Sequence, residues 1–135
     1  MPPLRMCFQR TMSRTVLVGL GGFIGSIARY WLSGLVQSLA APTFPFGTLV
    51  VNIVGGFVLG AVLVLSFERG LLGPDLRLFL AVGVCGGFTT MSTFSYETVE
   101  LIRDGELLAS FWNVAATVVA CCAAVWLGGV TARVL

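Results

Sequence analysis

Four long apolar runs divide the chain, and short polar connectors separate them. The runs cover approximately Thr15–Leu39, Phe46–Phe67, Leu76–Phe94 and Leu107–Val130. Each is close to the ~20 residues that a helix needs to cross the hydrocarbon core of a bilayer. Because lipid offers no partner to backbone N–H and C=O groups, helices are expected rather than open strands. The pattern therefore predicts an all-α membrane protein with four transmembrane helices in one domain, residues 15–135.

Residues 1–14 precede the first apolar run and carry three arginines. A signal peptide is the alternative, but the apolar run is too long and no small-residue cleavage site follows a short core. We therefore expect residues 1–14 to be a flexible extension. Either Met1 or Met12 could be the start of the natural chain.

Composition supports a membrane protein and disfavours an enzyme. The chain is 57% hydrophobic and only 10% charged, whereas soluble domains carry about 25% charged residues. It has no histidine, so the commonest general base and metal ligand is missing, and a serine or cysteine nucleophile would lack its usual base. The scattered arginines do not indicate a nucleic-acid partner.

The arginines are unevenly distributed between the two ends of the predicted helices. Six lie on the side of the termini, and these are Arg5, Arg10, Arg14, Arg69, Arg77 and Arg133. Arg103 lies on the opposite side. The excess of positive charge predicts that both termini are cytoplasmic.

Glycines recur at the spacing that allows helices to pack closely in lipid. The pairs are Gly21 and Gly25, Gly56 and Gly60, and Gly83 and Gly87. Small residues four apart let two helix backbones approach, which compensates for the missing hydrophobic drive between helices in a membrane. We expect these pairs to mark helix contacts.

The run Gly86–Ser95 is the most unusual part of the third apolar segment. Two glycines, each costing about 1 kcal/mol in a helix relative to alanine, are followed by five hydroxyl residues within seven positions. Hydroxyl groups compete for backbone partners, so the run predicts a broken third helix. Broken helices at membrane depth bind ions in transport proteins. The alternative is an intact helix whose hydroxyls bond to their own backbone.

Four further polar residues lie inside the predicted helices. Asn52 is either a hydrogen bond between helices or a donor that lines a pore. Arg29 either stabilises structure near an interface or lies at an anion vestibule. Asn113 and Thr117 share one face of the fourth helix and form either a polar track or ordinary packing contacts.

Three motifs resemble those of the Fluc (CrcB) fluoride-channel family. They are GGFIGSIARY at residues 21–30, FGTLVVN at residues 46–52, and GGFTTMSTFS at residues 86–95 with Glu97. The resemblance implies an antiparallel, dual-topology homodimer with two pores in the cell (inner or plasma) membrane. It also implies passive export of cytoplasmic fluoride, which reduces fluoride toxicity.

The same resemblance implies the residues of the site. A structural sodium ion, which is not transported, would bind the backbone carbonyls of Gly86 and Thr89 in each subunit. Arg29 would lie at the vestibule. The fluoride pore would be lined by Asn52, Met91, Ser92, Thr93, Phe94 and Thr117, whereas the role of Asn113 stays open.

Met91 is a departure from the family pattern, which has phenylalanine at that position. A thioether is flexible and polarisable but lacks a positive ring edge. Two other functions remain as alternatives. A small multidrug-type proton-coupled antiporter needs a glutamate in the first span, and the sequence has none there; a non-transporting scaffold subunit would conduct no ions.

Overall fold

The architecture is all-helical in the described part of the chain. The computed structural model describes the backbone of residues 4–135 and the side chains of residues 11–135. In chain order the elements are α1 (Leu4–Leu39), α2 (Phe46–Phe67), α3 (Pro74–Arg77), a π-helix (Leu78–Cys85), α4 (Gly86–Phe88), α5 (Met91–Arg103) and α6 (Leu107–Val134). None of the described residues forms a strand.

Four helical segments are long and apolar enough to cross a membrane, as predicted. They are Thr11–Leu39, Phe46–Phe67, Pro74–Arg103 and Leu107–Val134. The third is longer than the apolar run suggested, because α5 continues as a helix past Phe94 to Arg103. The predicted flexible extension includes residues 1–3, which lie outside the described residues, and it stays a prediction.

Most of the predicted glycine pairs lie at close helix contacts. A side chain at Gly21 would meet Gly83 Cα at 2.9 Å, and one at Gly25 would meet Phe88 N at 2.9 Å, so α1 lies directly against the π-helix and α4. A side chain at Gly60 would collide with the carbonyl of Val125 in α6. Small residues therefore set the helix spacing, as the sequence predicted.

Large apolar side chains cover the outside of the bundle. Phe23 is 67% exposed, Trp31 71% and Val119 69%. Such a surface would be unstable in water but matches the hydrocarbon of a bilayer. The chain is thus a multi-pass membrane protein.

Charged residues are confined mainly to the two ends of the bundle. Contacts at the terminal end join Arg14 Nε to Asp75 Oδ1 at 3.2 Å, Arg133 Nη2 to Glu68 Oε1 at 2.7 Å, and Arg69 Nη1 to the Ala132 carbonyl at 3.3 Å. Arg103 instead pairs with Glu100, 2.7 Å away, in the helix that leads to the opposite connector. The predicted grouping of the described arginines is confirmed. The cytoplasmic placement of the termini stays a prediction.

Candidate functional site

Two residues of extended backbone separate α4 from α5. Thr89 has φ −82° and ψ 156°, and Thr90 has φ −147° and ψ 119°. They lie near the middle of the 30-residue span Pro74–Arg103. Gly86 and Gly87, which the sequence marked as helix-weakening, remain helical. Gly87 is small because α1 passes close by: a side chain there would meet Gly22 O at 2.5 Å.

The side-chain amide of Asn52 fixes the second extended residue. Asn52 Oδ1 accepts a hydrogen bond from Thr90 N at 2.8 Å, and Asn52 Nδ2 donates to Thr90 O at 3.1 Å. Thr90 is only 9% exposed, so without these bonds its backbone groups would be buried unpaired, at about 1–3 kcal/mol each. The amide NH₂ has a second hydrogen beyond these two bonds.

Hydroxyl groups gather where α5 begins. Thr90 is the N-cap, and its Oγ1 accepts from Thr93 N at 3.2 Å. The same oxygen lies 3.0 Å from Thr93 Oγ1 and 3.3 Å from Ser92 Oγ. The N-terminus of a helix carries a partial positive charge and unpaired N–H groups. The extended segment therefore places anion-binding chemistry in the middle of a membrane span.

The backbone carbonyls of Gly86 and Thr89 are among those that lose their α-helical donors at the same place. The regular partner of the Gly86 carbonyl would be Thr90 N, which instead donates to Asn52. The regular partner of the Thr89 carbonyl would be Thr93 N, which donates to the Thr90 hydroxyl. Among the residues that the structure describes, no cluster of three or more His, Cys, Asp or Glu side chains is placed to hold a metal. These carbonyl oxygens are the candidate cation ligands, since unwound carbonyls can coordinate sodium.

A second set of polar groups connects α5 to α6. Asn113, 1% exposed, donates from Nδ2 to Thr98 Oγ1 at 2.9 Å. Thr98 Oγ1 in turn donates to Phe94 O at 2.7 Å, and Ser110 Oγ donates to Thr98 O at 3.4 Å. These bonds join the backbone of the predicted pore residue Phe94, whose side chain is 6% exposed, to the face of α6 that carries Asn113.

Thr117 is one helical turn beyond Asn113 on the same face of α6. It is 8% exposed, and its Oγ1 is buried with no hydrogen-bond partner in the described part of the chain. An unpaired buried hydroxyl costs free energy unless a water or ion satisfies it. Thr117 thus has a donor and acceptor free for such a ligand.

A cleft reaches the hydroxyl groups from the connector between α1 and α2. Its volume is about 460 Å³, and its polar lining includes Gln37, Thr48, Thr93, Glu97 and Asp104. Thr48 Oγ1 donates to Glu97 Oε1 at 2.8 Å, whereas Glu97 Oε2 is buried without a partner among the described residues. Water can therefore approach Thr93 from one end of the bundle.

Two of the predicted site residues make no side-chain hydrogen bond with these clusters within residues 11–135. Met91 is 71% exposed on the outer face of α5. The Nε of Arg29, in α1, is buried and has no partner within the described residues. Both side-chain hydrogen bonds of Asn52 in the described part of the chain go to Thr90, and neither goes to Arg29 or Met91.

The sequence did not name Thr48, Thr90, Thr98 or Ser110 individually as site residues, although spacing carried a signal for three of them. Thr48 precedes Asn52 by four residues, Thr98 follows Phe94 by four, and Ser110 precedes Asn113 by three. These separations put each pair on one helix face. Thr90 had no such signal, because its role depends on the extended backbone. The predicted self-bonded hydroxyls also occur, as in Ser95 Oγ donating to Met91 O at 2.9 Å.

Comparison with known proteins places the chain in a family. The family model described as CrcB-like protein, Camphor Resistance (CrcB), matches residues 16–129. A protein of Geobacter sp. (strain M21) named fluoride-specific ion channel FluC is 44% identical over 124 residues, covering 92% of this chain and all of the relative. The Pelobacter propionicus protein of that name is 49% identical over 111 residues, 82% of this chain and 86% of its own.

A third relative extends this similarity. Fluoride-specific ion channel FluC 1 of Methanosarcina acetivorans is 48% identical over 121 residues, covering 90% of this chain and 92% of the relative. These relatives are named as channels rather than enzymes. With a family model that spans most of its length and relatives above 40% identity over nearly all of it, the chain belongs to the CrcB family.

Proposed function

We propose that the chain is a fluoride-specific ion channel that passively exports cytoplasmic fluoride and so reduces its toxicity. The observation that carries the proposal is the extended pair Thr89 and Thr90 near the middle of a membrane span. On one side of this pair, the N-terminus of α5 favours an anion. On the other side, the freed carbonyls in and just after α4 favour a cation. The names of the relatives support fluoride as the anion.

Fluoride is small and strongly hydrated, so a pore must replace the hydrogen bonds of its water shell. The donors near the start of α5 are the hydroxyls of Ser92 and Thr93 and the remaining amide hydrogen of Asn52. Phe94 follows directly, and the edge of an aromatic ring carries positive charge that can face an anion. These groups together form a chain of weak sites, which permits binding without trapping the ion.

The pathway we propose runs from the polar cleft to α6. The cleft brings water to Thr93, Phe94 lies one residue further, and Asn113 connects to it through Thr98. Thr117 then offers the buried hydroxyl that has no partner of its own among the described residues. Arg29 would attract anions at a vestibule, and Met91 would contribute a flexible contact where related channels have an aromatic ring.

A structural sodium ion would occupy the freed carbonyls of Gly86 and Thr89. When bound, it supplies a fixed positive charge that balances the exposed carbonyl dipoles. Two carbonyls leave most of the coordination shell open, and a second copy of the chain would complete it. Gly86 suits this role because it is exposed and no other part of the described chain packs within 4 Å of its Cβ position.

The family resemblance implies an antiparallel, dual-topology homodimer with two pores, whereas the arginine excess at the terminal end favours a single orientation of each subunit. The terminal end of the subunit carries an excess of arginines, whereas Glu97, Glu100, Asp104 and Glu106 are near the opposite end with Arg103 alone. An antiparallel partner places the positive end of one copy beside the negative end of the other. Such complementarity favours that orientation over a parallel one.

The direct test is passive fluoride efflux from liposomes that contain the purified protein, with chloride as the matched anion. We expect rapid fluoride efflux and none of chloride. Phe94→Ile should lose most of the flux because the ring edge is removed, whereas Met91→Phe should conduct because it restores the family residue.

Three outcomes would contradict the proposal. Equal permeability to fluoride and chloride would exclude a fluoride-specific pore, and efflux that needs a proton gradient would indicate the antiporter. An absence of flux from a correctly folded protein would favour the scaffold subunit. Normal flux in Phe94→Ile would refute only the assignment of Phe94 to the pore.

A further inference from the structure

A groove opens at the arginine-rich end of the bundle, away from the proposed ion pathway. Its volume is about 310 Å³, within the range of small-molecule sites. Its residues come from α1, α2, α3 and the π-helix and are Arg14, Leu63, Phe67, Pro74, Arg77, Leu78, Ala81 and Val82. The lining is thus apolar except for two guanidinium groups.

Arg77 presents an available positive charge at this groove. Its guanidinium carbon lies 4.2 Å from the centre of the Phe67 ring, a cation–π contact that fixes the position of the group. Within the described part of the chain no carboxylate pairs with it. Because the ring covers a face of the planar group, the N–H donors at its edge remain available for an oxyanion.

Arg14 provides the second guanidinium, and Asp75 partly opposes it. The distance from Arg14 Nε to Asp75 Oδ1 is 3.2 Å, with the side chains 53% and 67% exposed. A pair this exposed is weak, and it engages only the Nε donor of Arg14. The two arginines exceed the carboxylate by one positive charge, so the groove mouth favours an anion.

The groove has the polarity gradient of a bilayer interface. Arg14 and Arg77 lie near the beginnings of the spans Thr11–Leu39 and Pro74–Arg103. Val82 follows Arg77 by five helical residues and so lies about one turn deeper in the span. It is 54% exposed. Charged groups therefore lie at headgroup level and apolar ones at the level of acyl chains.

We propose that this groove binds an anionic phospholipid. The phosphate lies between Arg14 and Arg77 as a charge-assisted contact, and one acyl chain runs along Leu78, Ala81 and Val82. Basic pockets between transmembrane helices bind anionic headgroups by this chemistry. The proposal depends on the membrane fold and not on which ion the protein conducts.

The test measures lipid binding to the purified full-length protein by native mass spectrometry. Phosphatidylglycerol is the probe, and phosphatidylcholine with the same acyl chains is the neutral comparison. We expect tighter binding of phosphatidylglycerol, weakened by added salt. Arg14→Gln and Arg77→Gln should each weaken it about fivefold, and the double variant about 30-fold. Arg103→Gln, with the same charge change at the opposite end, should bind as wild type.

Occlusion of the apolar part gives an independent variant. Ala81→Phe fills the groove without changing charge and should also weaken phosphatidylglycerol binding, while circular dichroism confirms the helical fold. Equal binding of both lipids, or an unchanged affinity in the double arginine variant, overturns the proposal. So does equal displacement of the lipid by inorganic phosphate at the same concentration, which would indicate a simple phosphate site. A changed fraction of dimer that is independent of lipid charge would show that a second copy covers the groove.

Discussion

Replacement of Asn52 by leucine tests whether its amide holds the extended segment in place. Leucine has a similar volume but cannot bond to Thr90, so Thr90 N and Thr90 O lose partners at 2.8 and 3.1 Å. Thr90 is 9% exposed, and each unpaired buried backbone group costs about 1–3 kcal/mol. The local free energy of opening should therefore fall by at least about 2 kcal/mol.

Hydrogen exchange measured by mass spectrometry gives the direct assay. A loss of about 2 kcal/mol should speed exchange of the peptide that contains Thr90 by about 30-fold. Fluoride efflux should fall with it, because the N-terminus of α5 would no longer be fixed.

Gln37→Leu is the matched control for this experiment. The Gln37 amide bonds to Phe44 O and to Gly47 N, each at 3.1 Å, and so fixes the connector between α1 and α2. Its loss should speed exchange at Gly47 and leave Thr90 protected. Wild-type exchange at Thr90 in Asn52→Leu would refute the role given to the amide.

Three further predictions follow from other parts of the molecule. Gly25→Val should abolish folding, because a side chain there collides with the backbone of the π-helix and α4. Gly19→Ala is the control, because a side chain there meets nothing within 4 Å. Size-exclusion chromatography should give a normal monodisperse peak for Gly19→Ala and none for Gly25→Val. A hydrogen bond from Arg133 lowers the pKa of Glu68 below its ordinary value. The contribution of this pair to stability is therefore present at neutral pH and is lost as the pH falls below about 4. The melting temperature of Glu68→Gln should fall less on acidification than that of the wild type, and an identical fall would refute the pairing. Replacement of sodium by a large organic cation on both sides of the liposome membrane should abolish fluoride efflux, and the return of sodium should restore the efflux. Full flux in rigorously sodium-free buffer would contradict the proposed carbonyl site.

The sequence was most informative about the membrane spans and least about the interruption. Apolar runs alone located α2 and α6 closely, and the glycine pairs anticipated the contact between α1 and the π-helix. In the run Gly86–Ser95, however, the glycines suggested where the helix would weaken, and the extended residues are Thr89 and Thr90. A local propensity cannot locate this position, because the competing hydrogen bonds come from Asn52 in another helix.

The end of the third span shows the same limit. Hydropathy ended it near Phe94, but α5 continues to Arg103, and Leu101 packs into the bundle near its end. The sequence named Glu97 only beside the third motif, and the structure places it half-buried against Thr48. That contact joins residues 49 positions apart in the chain, which helical periodicity does not reveal.

The sequence by itself determined that the chain lies in lipid, how many times it spans the membrane and which small residues lie at helix contacts. These features follow from the transfer of apolar side chains and hydrogen-bonded backbone into lipid, which depends on runs of neighbouring residues. Only the tertiary structure decided that Asn52 bonds to Thr90, that the carbonyls of Gly86 and Thr89 are freed, and that Thr117 is buried without a partner among the described residues. Each of these depends on which groups meet across helices, and a hydrogen bond made there removes one that the local sequence would otherwise form.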